Sequence, residues 1–321
     1  MHGPAPLIAT PAAPIPAGGQ AEWFTGAGGA RLRAALFPAK GEPRGSVVLS
    51  GGRTEPIEKY FEVVGELTGR GFVVLAHDWR GQGLSWRAYP DERLKGHADG
   101  FNDFVDDYHA LLAAFEHRLP GPWIALSHSM GGALTLMALA QGEAPRFAAA
   151  VLSAPMLDVL TGAIPRRLAA PVAALAKRLG RGGSYVPADP GKSFDAPFEG
   201  NALTHDPARF ARSLAQVTAC PDLALGGPTW GWLDFAFRLH AWLFRPGALG
   251  RVTLPVVILS AEQEKLVDNT AQRRAAAALP NARLVTVPGA LHEILMETDD
   301  RRAVFWTEFD AVADAVAPKK A

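Results

Sequence analysis

Short runs that are apolar throughout alternate along this chain with longer stretches whose apolar residues recur at helical spacing. Residues 21–25 and 31–37 read as a hairpin around the Gly-Ala-Gly-Gly at 26–29. A short apolar strand at 46–50 follows, then helical spacing over 57–70 that stops before Gly71, then a second apolar strand at 72–77. Residues 101–119 predict a helix, with Asn102 as its cap and Pro120 as its end. A strand at 123–126, a helix at 130–140 and a strand at 148–153 continue the rhythm. Strands apolar on both faces and separated by helices predict a mostly parallel central sheet covered by helices on both sides.

The rhythm breaks at residue 155. From there to residue 250 no buried strand stands out, and helical or irregular pieces are punctuated by Pro165, Pro171, Pro187, Pro190 and Pro207. It resumes with a strand at 256–260, a helix at 269–279, a strand at 282–287 and a helix at 300–316. The expected organisation is an N-terminal tail (1–20), the first part of an α/β core (21–154), a helical cap inserted at 155–250, and the second part of the core (251–321). The tail is rich in Pro, Ala and Gly, so it is expected to lie over the surface or stay partly disordered.

Composition narrows the function classes. The 32 Lys and Arg balance the 32 Asp and Glu, and no basic run interleaves with aromatics. Nucleic acid is therefore not an expected partner. The N-terminus has neither a basic n-region nor a long apolar h-region, and no stretch reaches the roughly 18 apolar residues of a membrane span. The single cysteine, Cys220, lies in Thr-Ala-Cys-Pro without a glycine turn, which fits a reducing compartment and a non-catalytic thiol. A cytoplasmic location is expected. There is no His-Glu-x-x-His, no Cys/His cluster and no dinucleotide fingerprint, so no metal or other cofactor is expected.

The strongest chemical signal is Trp-Ile-Ala-Leu-Ser-His-Ser-Met-Gly-Gly at 123–132. It reads as strand, sharp turn and helix start, with small residues Ser127 and Gly131 two positions either side of Ser129. This is the shape of a nucleophile elbow, and it predicts an α/β-hydrolase fold with Ser129 as nucleophile. Serine needs a base held by an acid. His292 follows the last predicted strand, where a loop histidine reaches the elbow. His128 is expected to be structural or to line the pocket, and His77, His97 and His205 are off the pattern. The loop after the 256–260 strand offers three acids, Glu262, Glu264 and Asp268. The oxyanion donors are expected to be the main-chain N–H of Met130, next to the nucleophile, and of Arg53, in the Gly-Gly-Arg-Thr-Glu loop after the 46–50 strand. The Arg53 side chain has two expected places, the surface or an anionic substrate group.

These residues carry a resemblance. Gly-Gly-Arg-Thr-Glu at 51–55, His-Asp-Trp-Arg-Gly-Gln-Gly-Leu-Ser at 77–85, Gly-His at 96–97 and Phe-Asn-Asp-Phe-Val-Asp-Asp at 101–107 precede the elbow. Leu-Thr-His-Asp at 203–206, Gly-Gly-Pro-Thr-Trp at 226–230 and His-Glu-Ile-Leu-Met-Glu at 292–297 follow it. In this order, from about residue 21 to the last helix, the chain resembles the bacterial lysophospholipases and monoacylglycerol lipases of the α/β-hydrolase superfamily. Such relatives commonly carry Asp three residues before a Val-Asp pair, a position held here by Glu264. The resemblance thus implies Glu264 as the orienting acid, with Asp268 second. Ser127 and Gly51 stand where the lipase branch usually has Gly and His.

The resemblance implies a lipid ester substrate, a lysophospholipid or a monoacylglycerol, bound under the cap. Leu168, Val172, Leu175 and Leu179 share one helical face, opposite Arg166, Arg167, Lys177 and Arg178. Trp230, Leu233, Phe237 and Phe244 form a second stripe. Most of both faces is expected to pack on the core. Part of the surface, with Trp230, Phe237 and His128, is expected to contact substrate, and the basic residues to touch membrane headgroups at the inner face of the membrane. One rival reading is an esterase or iminopeptidase-like amidase for small substrates, for which Glu199, Asp222 and Asp234 offer carboxylates to an amino terminus. Another is a catalytically silent binding protein.

Overall fold

The computed structural model describes residues 3–142, 146–161, 165–187 and 197–319. Among these residues nine strands form one sheet: β1 Gly3–Ala5, β2 Gln20–Thr25, β3 Arg31–Phe37, β4 Gly45–Ser50, β5 Phe72–His77, β6 Trp123–His128, β7 Phe147–Ser153, β8 Val256–Ala261 and β9 Ala282–Val287. Their order is β1-β2-β3-β5-β4-β6-β7-β8-β9. The strands from β4 to β9 pair in parallel, and β1–β3 join antiparallel at one edge. This is the α/β-hydrolase architecture expected from the alternation of apolar strands and helices.

The central strands explain their own sequences. Val47 and Val48, or Ile124 and Ala125, point to opposite faces, and both members of each pair are buried. One face packs on α1 (Phe61–Gly69) and α8 (Asp299–Val316). The other packs on α2 (Asp103–Phe115), α3 (Met130–Gln141) and α7 (Asn269–Ala278). α3 is buried on nearly every side, which its run Met-Gly-Gly-Ala-Leu-Thr-Leu-Met-Ala-Leu-Ala allows.

Three local expectations change. The N-terminal segment is more than a surface tail: Gly3–Ala5 pairs with Ala21–Trp23, and the Ile8 N–H donates to Glu58 at 3.1 Å. Arg33, fully buried, holds that junction by donating to the Pro6 carbonyl and to Glu58 and Asp78. Asn102 precedes α2 but makes no side-chain cap, because its backbone is already helical (φ −92°, ψ −11°) instead of extended. The predicted helix over 57–70 is a 3₁₀ turn at Ile57–Tyr60 followed by α1.

Between β7 and β8 the described residues hold α4 (Arg166–Ala176), α5 (Pro207–Ala219) and α6 (Trp230–Leu243) and no strand of the sheet. Asp206 caps α5 by accepting from the Ala208 and Arg209 amides, and Thr229 caps α6 by accepting from Trp232. The order reverses at β4, whose neighbours β5 and β6 lie on its two sides. Loops leaving the carboxyl ends of β4 and β6 therefore open a crevice between them, the usual ligand position in such sheets.

Candidate active site

Ser129 sits at the end of β6 with φ 49° and ψ −118°, outside the comfortable region for a residue with a Cβ. Four main-chain bonds hold it there: its N–H donates to the Ser153 carbonyl, and its own carbonyl accepts from the amides of Gly132, Ala133 and Met156. The flanking small residues each have a reason. A Cβ on Gly131 would stand 2.5 Å from the carbonyl oxygens of Ser50 and Gly51. Ser127, where a glycine is commoner, is buried and pairs its hydroxyl with Thr135 at 2.8 Å.

The structure brings three of the expected residues into one line. His292 Nε2 lies 2.9 Å from Ser129 Oγ, and His292 Nδ1 lies 2.7 Å from Glu264 Oε2. Burial pushes the Glu264 carboxyl up, but the hydrogen bond and charge of His292 and the amides of Leu266 and Val267 outweigh it, leaving it below its ordinary value. Glu264 is thus an ionised acceptor at neutral pH. Its Oε1 accepts from Lys265 and Leu266, so the loop backbone fixes the carboxylate as well as the ring. The other two acids of that loop are elsewhere. Asp268 caps α7 by accepting from Thr270 at 2.7 Å, and Glu262 accepts from the Gly289 amide.

The loop after β4 lies over the serine. A Cβ on Gly52 would be 3.0 Å from Ser129 Cβ and 3.0 Å from His128 Nδ1, so only glycine lets Arg53 follow at that depth. Met130 opens α3, where an amide has no carbonyl one turn back to bind. The Arg53 guanidinium is half-buried, donates to the Gly226 carbonyl and lies 5.2 Å from the Trp232 ring, which ties the loop to the segment leading into α6. Around Ser129 opens a cavity of about 740 Å³. Met156, Val159, Leu168, Val172, Trp230 and Leu233 give it an apolar wall, and Arg53, His128, Ser129, His292 and Glu293 mark its polar end. Trp230 and His128 thus reach the cavity as expected of contact residues. Phe237 does not: it is buried against Ala169 and Ala173, between α4 and α6.

A group missed in the sequence lies behind this end. Glu55 is buried and accepts from the Gly52 amide, the Tyr60 hydroxyl, the Lys59 ammonium and His128 Nδ1. Lys59 also pairs with Glu293. Burial raises the Glu55 carboxyl, yet His128 and Lys59 bring it well below its ordinary value. The signal was present in Glu-Pro-Ile-Glu-Lys at 55–59 and in the Glu293 beside His292, charges placed next to motif residues.

Fold and site together define an α/β-hydrolase with a serine, a histidine and a carboxylate in hydrogen-bonded sequence. The comparisons make this particular. Residues 41–299 match the family described as Serine aminopeptidase, S33. Lysophospholipase L2 of Escherichia coli (strain K12) is 36% identical over 293 residues, covering 88% of this chain and 83% of its own. Monoacylglycerol lipase of Mycolicibacterium smegmatis is 28% identical, with 87% and 91% covered. The solved structure of a soluble variant of monoglyceride lipase from Saccharomyces cerevisiae, with a substrate analog, superposes with a TM-score of 0.72 at 21% identity, covering 91% and 94%, a likeness of fold. The chain belongs to this family of hydrolases, alongside the lysophospholipase L2 proteins.

Proposed function

We propose that the protein hydrolyses carboxylic esters of lipids, lysophospholipids or monoacylglycerols, through an acyl-enzyme on Ser129. The observation that carries this reading is the Ser129–His292–Glu264 chain of hydrogen bonds opening into a cavity walled mostly by apolar side chains. The names of the relatives agree with it. His292 Nε2 takes the Ser129 proton as Oγ attacks the acyl carbonyl. The oxyanion is received by the Met130 and Arg53 main-chain N–H groups, the first of them at the positive end of α3. The intermediate collapses, the glycerol oxygen leaves with the proton from His292, and the acyl group stays on Oγ. Water then enters, gives a proton to His292, and attacks the acyl-enzyme. Collapse returns that proton to Ser129 and frees the fatty acid. Trp230, Leu168 and Val172 receive the chain.

An amidase that recognises an amino terminus is less well supported. Such an enzyme needs an uncommitted carboxylate in its cavity. Among the described residues the cavity carboxylates are Glu55 and Glu293, both paired to Lys59. Asp222 and Asp234 pair with Arg93 and Lys177, and neither they nor Glu199 line the cavity. We further propose a peripheral membrane contact through α4. The apolar stripe of α4 and of the turn after it, Lys177–Arg181, faces outward, with Leu168, Val172, Leu175 and Leu179 all about half exposed or more, while Ala169 and Ala173 turn inward. Leu168 and Val172 belong both to that outer stripe and to the cavity, so a chain leaving a lipid surface would meet the pocket first. Among the described residues no helix is long and apolar enough to cross a membrane.

Purified protein is incubated with lysophospholipids, monoacylglycerols, short p-nitrophenyl esters and aminoacyl-naphthylamides, with Ser129→Ala alongside. Release of fatty acid from long-chain lipids, lost in the variant, is the expected result. Serine-dependent turnover of aminoacyl amides alone would overturn the lipid reading. Failure of a fluorophosphonate to label Ser129 would favour the silent binding protein.

A further inference from the structure

His128 is buried, and both of its ring nitrogens face acceptors. Nδ1 lies 2.8 Å from Glu55 Oε2, and Nε2 lies 3.1 Å from the main-chain carbonyl oxygen of His292. A carbonyl oxygen can only accept. Glu55 Oε2 accepts from the Gly52 amide and the Tyr60 hydroxyl and also faces His128 Nδ1, while Oε1 accepts from the Lys59 ammonium. Ringed by that ammonium and these donors, the Glu55 carboxyl is ionised, held well below its ordinary value, and it can only accept. Both His128 nitrogens must then donate, and a ring with two N–H groups is a cation.

We infer that His128 is an imidazolium that latches the His292 backbone to the nucleophile elbow, making it a positioning residue for the reaction. The inference rests on Ser129 and His292 being the reacting pair. The latch is short: the ring precedes Ser129 in the chain, grips the carbonyl of the histidine that bonds Ser129 Oγ, and is itself gripped by the acid that fixes Gly52 beside the oxyanion loop. One cation thus sets three parts of the site against one another.

Charge balance points the same way. Glu55 and Glu293 carry two negative charges, and Lys59 and His128 two positive ones. Tyr60 stays neutral, because burial and Glu55 raise its hydroxyl well above the ordinary value. His292 faces the same ring at 4.8 Å between centroids, and Arg53 lies in the same cavity. Loss of the His128 proton would leave the four-residue cluster with one net negative charge beside the position where the oxyanion forms. It would also turn a nitrogen lone pair toward the His292 carbonyl. Burial lowers the His128 value, but Glu55 outweighs it, so the cation persists above the ordinary histidine range.

The active form therefore has His292 neutral and His128 charged. Activity falls on the alkaline side as His128 loses its proton. The test follows kcat and KM on a short p-nitrophenyl ester from about pH 5 to about pH 10. In wild type the alkaline limb is expected. In His128→Gln that limb vanishes, kcat falls by about tenfold to a hundredfold from the misplaced base, and KM changes little. In Glu55→Gln the limb moves to lower pH, because the carboxylate that favours the cation is gone. A second measurement needs no turnover: nitrogen-labelled histidine in Ser129→Ala protein should show two ring N–H signals near neutral pH that disappear in the Ser129→Ala, His128→Gln double variant. A single ring proton on His128, or an alkaline limb unchanged in His128→Gln, overturns the inference. A protein that fails to label with fluorophosphonate loses its functional reading, while the ring-proton spectrum still decides the charge state.

Discussion

At Glu264 the proposed orienting acid is longer by one methylene than the aspartate its position suggests. The chain accommodates this by bonding the second carboxylate oxygen to the loop's own amides, Lys265 and Leu266. That bond replaces a free rotor with a fixed one, so the extra length costs little precision. In the proposed mechanism the acid keeps His292 in the tautomer that offers Nε2 to Ser129 and stabilises the ring when it gains a proton. Glu264→Gln keeps the shape but presents the ring with an ambiguous partner. We expect kcat to fall by about 10³-fold or more, with little change in melting temperature. Asp268→Asn, the other acid of that loop, should leave kcat close to wild type; its role is the α7 cap, which asparagine also fills. Steady-state kinetics of the two variants checks this, and equal losses in both would contradict the assignment of the acid.

Among the elements, α4 shows how a helical pattern can be read correctly and its direction missed. Leu168, Val172, Leu175 and Leu179 do share a face, but the face turned to α6 is Ala169 and Ala173, which allow close approach to Phe237. An apolar stripe usually marks the inward side; here small residues take that side and the large ones are left outside. Arg167, Arg178 and Arg181 are exposed beside them, while Arg166 and Lys177 are spent on Asp158 and Asp234. Replacing Leu175 and Leu179, which are exposed and lie outside the cavity, with serine should reduce co-pelleting with anionic vesicles and slow turnover of vesicle-borne lipid, while turnover of a soluble short ester stays near wild type. Undiminished pelleting would remove α4 as the contact. The strands were far more legible, because a strand buried on both faces has an apolar run that little else imitates. Gly3–Ala5 was not, since Gly-Pro-Ala has no strand propensity and pairs only because Arg33 and Glu58 hold the segment after it. Ser129 and His292 could be read from order and flanking elements. The Glu55 cluster could not, because its members come from 55–60, 128 and 293 and meet only when the sheet is assembled.

For the whole molecule, the question is what holds the cap in place over a cavity that must admit substrate. Part of the answer is electrostatic. Glu62 on α1 accepts from Arg209 and Arg212 of α5 and lies 3.5 Å from Arg302 of α8, so one core carboxylate joins cap and core. Arg209 also bonds the Glu297 carbonyl, at the end of the segment that begins with His292. Burial raises the Glu62 carboxyl, but hydrogen bonds from Arg209 and Arg212 and the charge of Arg302 prevail and bring it down to about 2 from 4.5. A carboxylate depressed in the folded state contributes stability that is fully present above its unfolded value and is lost as pH falls through its folded one. The window for Glu62 is therefore from about 4.5 down to about 2. Because the side chain is partly exposed and screened by solvent, its share is on the order of 1–2 kcal/mol. Glu62→Gln should melt lower than wild type at neutral pH, and the gap between them should shrink as the pH is lowered through that window. Added salt should narrow the gap as well, since the ion pairs lie near the surface. Thermal melts of both proteins across the acid range check the point, and a gap constant in pH would mean that Glu62 acts through packing instead of charge. If charge is the cause, protease cleavage within the α5 region should accelerate in Glu62→Gln before global unfolding, because the tie that fails is the one between cap and core.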